Sequence, residues 1–135
     1  MLIWRRLIRN LITLIEAGSD IYYVEFNTKH LDINEYFPSK TTKDTIYLHH
    51  TAGSHRPDWT IDAWNRDRSE LGNKVKVATS YVIGGISTRD GNKDFNGKIY
   101  EAFDPNYWAH HLGVKSKNNT FLNQKSVAIE LCNYG

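Results

Sequence analysis

The stretch TIYLHHTAG, residues 45–53, decides how this chain is read. Thr45, Ile46, Tyr47 and Leu48 are residues that fit a pleated strand, and Thr51, Ala52 and Gly53 make a turn-like stop. Two histidines therefore stand at the end of a strand. Successive strand side chains point to opposite faces, so His49 shares a face with Tyr47 while His50 shares one with Ile46 and Leu48. One metal ion cannot take both without distortion. Taken alone, such a pair reads more simply as core or surface histidines, and the rest of the chain has to supply any further meaning.

The 135 residues suit one domain, and 40% hydrophobic with 24% charged residues is ordinary globular composition. A net charge of +2 gives no argument for nucleic acid. The single cysteine, Cys132, excludes an internal disulfide framework and a cysteine-rich zinc site, so a metal would be held mainly by histidine and carboxylate. No stretch approaches the roughly 20 apolar residues of a membrane span. At the start, Ile3, Trp4, Leu7, Ile8, Leu11, Ile12, Leu14 and Ile15 recur at helical spacing, which predicts an amphipathic helix ending near Gly18. Arg5, Arg6 and Arg9 interrupt it, so it does not read as a secretory signal peptide, and a cytoplasmic start is expected. Docking of residues 1–17 on the domain is the favoured reading over a membrane-surface helix.

A short strand is expected over 21–26 and an irregular connector over 27–43, which makes residues 1–40 an extension and 41–135 the compact domain. Pro57 opens a helix expected to run to about residue 71, with Trp59, Ala63 and Trp64 as burial candidates. Strands are expected over 75–83, 98–103 and 126–131, with polar loops over 84–97 and 114–123. This order predicts an α/β domain with a mixed β-sheet flanked by helices.

Glu130 is the most informative single residue. It interrupts the apolar run VAIELC on the face of Ala128 and Cys132, where a carboxylate is costly unless it is used or paired. Desolvation there would raise its pKa toward neutrality and suit it to general-base work, whereas a structural ion pair is the plain alternative. Cys132 reads as a small buried hydrophobe. His110 and His111 are again adjacent and precede Leu112-Gly113, so one could turn to the strand ends while the other packs beside Trp108. Tyr107 and Trp108 offer flat apolar surface for a sugar ring.

Taken in order, IYLHHTAG, ATSYVIGG, GKIYEAF, YWAHHLG and LNQKSVAIELCNYG resemble the zinc-dependent N-acetylmuramoyl-L-alanine amidases of the type 2 amidase and peptidoglycan-recognition fold, most closely in their phage endolysin form. The resemblance covers residues 45–135. It implies a peptidoglycan hydrolase that cuts the amide bond between N-acetylmuramic acid and the L-alanine of the stem peptide, with Zn2+ as cofactor. It matches His49 to the first zinc ligand and Glu130 to the glutamate that activates the zinc-bound water. His111 matches the histidine beside the substrate cleft, and Asn123 the asparagine that supports its loop, so both are placed with the substrate-binding residues. Where another branch of the family carries a tyrosine base, this chain has Ala78-Thr79-Ser80, which favours Glu130.

The family's other two zinc ligands follow the IEL strand, so the resemblance implies that a further C-terminal segment or a partner chain completes the metal site. A local set of His49 with His110 or His111 and Cys132 is the alternative. A non-catalytic peptidoglycan-binding module is the rival for function. Synthesis in a host cytoplasm and action on the cell wall are the expected locations.

Overall fold

The computed structural model describes residues 26–66, 76–113 and 118–134. The amphipathic helix expected over 1–17 lies outside them. The elements are β1 (Phe26–Thr28), one 3-10 turn (Ile33–Glu35), β2 (Thr45–His50), α1 (Pro57–Arg66), β3 (Tyr81–Ile83), β4 (Ile99–Glu101), α2 (Asn119–Gln124) and β5 (Ser126–Leu131). The strands form one mixed sheet in the order β1-β4-β3-β5-β2. Only β3 and β4 run antiparallel; β1–β4, β3–β5 and β2–β5 are parallel. The predicted α/β class with a mixed sheet is therefore the observed one.

Register places chemistry and core together. His49, Glu130, Val82, Tyr100 and Asn27 occupy one rung that crosses all five strands. On that face α1 inserts Ile61, with no exposed surface, against Val82, Ala102, Phe103 and Cys132. A second cluster of Tyr81, Ile99 and Val127 packs with Phe26, Ile83 and Ile129. Alternation puts these residues on the opposite face, which at the β2 edge ends in Ile46 and Leu48, 52% and 66% exposed.

Several expectations change. The segment expected as a connector supplies β1, which pairs with β4, and buries Leu31 and Glu35. The strand expected over 21–26 is seen as Phe26–Thr28, with 21–25 outside the described residues. The strand expected over 75–83 is regular only from Tyr81, because the backbone at Lys76 and Ala78 bonds to His110 instead of continuing the ladder. Of the burial candidates on α1, Trp59 is 52% exposed and Trp64 packs partly buried against the core, while the fully buried residue is Ile61, which is not among them. The expected end of α1 near residue 71 lies outside the described residues. The polar loop expected over 114–123 contains α2, whose two turns are tied by Asn123 Nδ2 donating to the Asn119 carbonyl and side chain at 2.8 and 2.7 Å. Asparagines that read as loop formers here stabilise a short helix.

Candidate functional site

His49 ends β2 and Glu130 lies opposite it on β5, in the same register and on the same face. In a parallel pair this fixes the two side chains one strand spacing apart, about 4.8 Å. His50, on the other face, is exposed. A cavity of about 350 Å³ opens beside Glu130 and His111, walled by Trp59 and Trp64 of α1 and by Thr51 and Thr79. Thr79 thus comes from the Ala78-Thr79-Ser80 segment.

Burial sets the charge states. It pushes the Glu130 carboxyl up to about 7, so the group exchanges between acid and base near neutrality. His49 is lowered by burial. His111 is pushed down to about 4, first by burial and then by His49, Lys43 and His110, and is a neutral imidazole at neutral pH. Cys132 is pushed up to about 11, chiefly by burial, and is an inert thiol.

His111 is held at both ring nitrogens. Its Nδ1 lies 3.0 Å from His49 Nε2, and its Nε2 lies 2.7 Å from Ser126 Oγ. Asn123 stands behind it, 1% exposed, and its Oδ1 accepts from the backbone N–H of His111 at 2.8 Å and of Leu112 at 3.1 Å. Asn123 reaches the cavity only through the loop it holds. His49, Glu130 and His111 are thus brought together, with Asn123 supporting them.

The remaining candidates go elsewhere. His110 packs edge-on against Phe37 and Trp108, with ring centroids 5.5 and 5.4 Å away. Trp108 is 8% exposed and stacks on Phe37 at 4.0 Å, and Tyr107 stacks on Tyr36, so neither is a free platform for a sugar ring. The exposed aromatic beside the cavity is Trp59, over which the Arg56 guanidinium sits at 4.3 Å. Cys132 is buried with its Sγ 3.6 Å from Thr60 Oγ1. Among the described residues no three His, Cys, Asp or Glu side chains are grouped to hold a metal ion. The local set of His49 with His110 or His111 and Cys132 is therefore not formed, and these residues alone do not make a zinc site.

Sequence reasoning missed Ser126, Thr41 and Lys43. Thr41 Oγ1 and the buried Lys43 Nζ both donate to the Gln124 carbonyl, at 2.6 and 2.9 Å, while Ser126 Oγ contacts the Leu122 carbonyl at 2.8 Å. These are the carbonyls that the last turn of α2 leaves without helical partners. A serine two residues after the helix, at the first position of an apolar strand, is the available signal. The asparagines of α2, which favour loops, obscure it.

A mixed-sheet α/β domain with an imidazole and a carboxylate paired at the ends of adjacent parallel strands defines the class of site. No protein-family model and no curated protein matches the chain. Among solved structures it is similar to a mutant endolysin from Bacillus subtilis, with 16% identity and a TM-score of 0.56 over 83% of this chain and 64% of that one. It is similar also to the PlyG catalytic domain, with 14% identity, a TM-score of 0.55 and coverage of 81% and 56%. PlyL gives 12%, 0.54, 82% and 58%. These likenesses are of fold, and the chain spans less than two thirds of the length of each structure.

Proposed function

We propose that this domain hydrolyses peptidoglycan, cleaving the amide bond between N-acetylmuramic acid and the L-alanine of the stem peptide. The observation that carries the reading is Glu130, a carboxyl with a pKa near 7 that lines a cavity together with His111 and stands opposite His49 in the β2–β5 register. The fold shared with an endolysin and with the PlyG catalytic domain supports the same class of substrate. In the reaction a water adds across the amide: its oxygen bonds to the lactyl carbonyl carbon and the C–N bond breaks. Glu130 takes the proton that the water loses and returns it to the departing amine of L-alanine. Trp59 and Trp64 offer apolar walls for the substrate.

Zinc is the proposed cofactor and His49 one of its ligands. Because the described residues hold no three-ligand group, the reading requires further ligands from another segment or a partner chain. Action on the cell wall after synthesis in a host cytoplasm follows from the same proposal. Among the described residues no helix is long and apolar enough to cross a membrane. The incomplete ligand set favours one rival, a peptidoglycan-binding module without turnover.

Purified peptidoglycan incubated with the protein and zinc, with products resolved by mass spectrometry, separates the two readings. Free stem peptides with an L-alanine amino terminus support the amidase. Retention on the insoluble wall with no release of peptide supports the binding module and removes hydrolysis by this chain on its own.

A further inference from the structure

We propose that Ser126 and His111 are positioning residues that lock His49 in the tautomer with hydrogen on Nε2, leaving its Nδ1 as the nitrogen lone pair that the site can offer. The order of donors and acceptors is set at the C-terminal end of α2. Ser126 Oγ lies 2.8 Å from the Leu122 carbonyl oxygen and 3.4 Å from that of Asn123. Carbonyl oxygens only accept, so the single hydroxyl proton of Ser126 is committed to them. Turning it away would set oxygen lone pairs against each other and leave a helix-end carbonyl without its donor.

With that proton committed, Ser126 Oγ can meet His111 Nε2, 2.7 Å away, only as an acceptor. His111 therefore carries hydrogen on Nε2. As a neutral imidazole it has a bare Nδ1, which lies 3.0 Å from His49 Nε2 and must accept from it. His49 is then the Nε2–H tautomer, and its lone pair is on Nδ1. Each step fixes the next, and the chain begins at a backbone carbonyl, which cannot reverse its role. The opposite order would put hydrogen on His49 Nδ1 and leave the Leu122 carbonyl and Ser126 Oγ in contact with no hydrogen between them.

The fixed tautomer concerns the metal-free protein and stands whether or not the site hydrolyses anything. Its meaning for a ligand rests on the proposed function. A histidine ligand generally has its other ring nitrogen held by a hydrogen-bond acceptor, which sets both orientation and tautomer. Here the acceptor is a second imidazole, itself oriented by a serine and a helix end.

The test is ring-nitrogen NMR on the full, metal-free chain labelled with 15N-histidine at about pH 8, above the ordinary histidine range. The expected pattern is hydrogen on Nε2 of both His49 and His111, with both Nδ1 atoms bare. Hydrogen on His49 Nδ1 overturns the proposal. Ser126→Ala should lose the single-tautomer pattern at both rings, and Ser126→Thr, which keeps the hydroxyl, should restore it. An unchanged pattern in a folded Ser126→Ala protein also overturns it, and if that variant does not fold the wild-type spectrum still decides. Peptidoglycan hydrolysis measured on the same wild-type protein after zinc is supplied separates the two readings: the expected tautomers without hydrolysis leave the relay standing and count against the amidase alone.

Discussion

His49 and Glu130 share a rung of the parallel β2–β5 ladder and project from the same face, so backbone hydrogen bonding sets their separation. An imidazole and a carboxylate placed in this way need no flexible loop to bring them together.

Glu130→Gln keeps the shape of the side chain and removes its capacity to accept a proton. Peptidoglycan hydrolysis should fall by about 10²–10⁴-fold, the usual contribution of a general base. Circular dichroism should show the fold retained. Near wild-type turnover in that variant would take Glu130 out of the proton-transfer role.

The same substitution should alter how stability depends on pH in the metal-free protein. Folding raises the Glu130 pKa from 4.5 to about 7, so its contribution is fully present below 4.5 and is lost as pH rises through 7. His111 acts in the other direction. Its pKa falls from 6.5 to about 4, so its contribution is present above 6.5 and is lost as pH falls through 4. Glu130→Gln removes only the first effect, and its Tm relative to wild type should rise steadily across the interval from 4.5 to 7. A Tm difference independent of pH over that interval would contradict the burial argument.

Asn123→Ala should destabilise the domain by about 1–3 kcal/mol, because the backbone N–H groups of His111 and Leu112 lose their shared acceptor in a buried setting. Urea unfolding measures the loss. A change under about 0.5 kcal/mol, the range of an ordinary surface substitution, would mean that the loop does not depend on this amide.

Gly85→Ala should be disruptive. A Cβ there would lie 2.1 Å from the Cys132 carbonyl oxygen, a backbone atom that cannot move without displacing the end of β5. Overpacking of this kind costs about 1–3 kcal/mol or more. Gly113, with nothing within 4 Å of a built Cβ, is the control site. Equal effects of the two substitutions on Tm would show that the close approach at Gly85 carries no energetic weight.

Sequence reading recovered β2 and β5 because their β-branched and apolar runs end at clear turn residues, and recovered the start of α1 because Pro57 marks a first helical turn. His49 and Glu130 were each legible through the period of two, which fixes the face of a strand residue. That they occupy the same rung was not legible, since register between strands about 80 residues apart depends on packing of the whole sheet. Trp108 looked available for a ligand because aromatic composition does not reveal stacking on Phe37, a residue far away in the chain. Ser126 was invisible as a positioning residue for a similar reason. Its role depends on a helix whose asparagines suggested a loop, and on a histidine that approaches from another segment.

The strand order carries a consequence for how the molecule comes into being. Among the described residues β2 has one ladder partner, β5, and β5 is inserted between β2 and β3 although it is the last of the five to leave the ribosome. A nascent chain that has not yet released Ser126–Leu131 can pair β3 with β4 and β1 with β4, yet it holds His49 on a strand with nothing beside it. Such non-local pairing is slow compared with forming the hairpin. His49 and Glu130 are thereby brought side by side only once β5 has been made, and a chain interrupted before Ser126 would keep the β1–β4 and β3–β4 ladders without that juxtaposition.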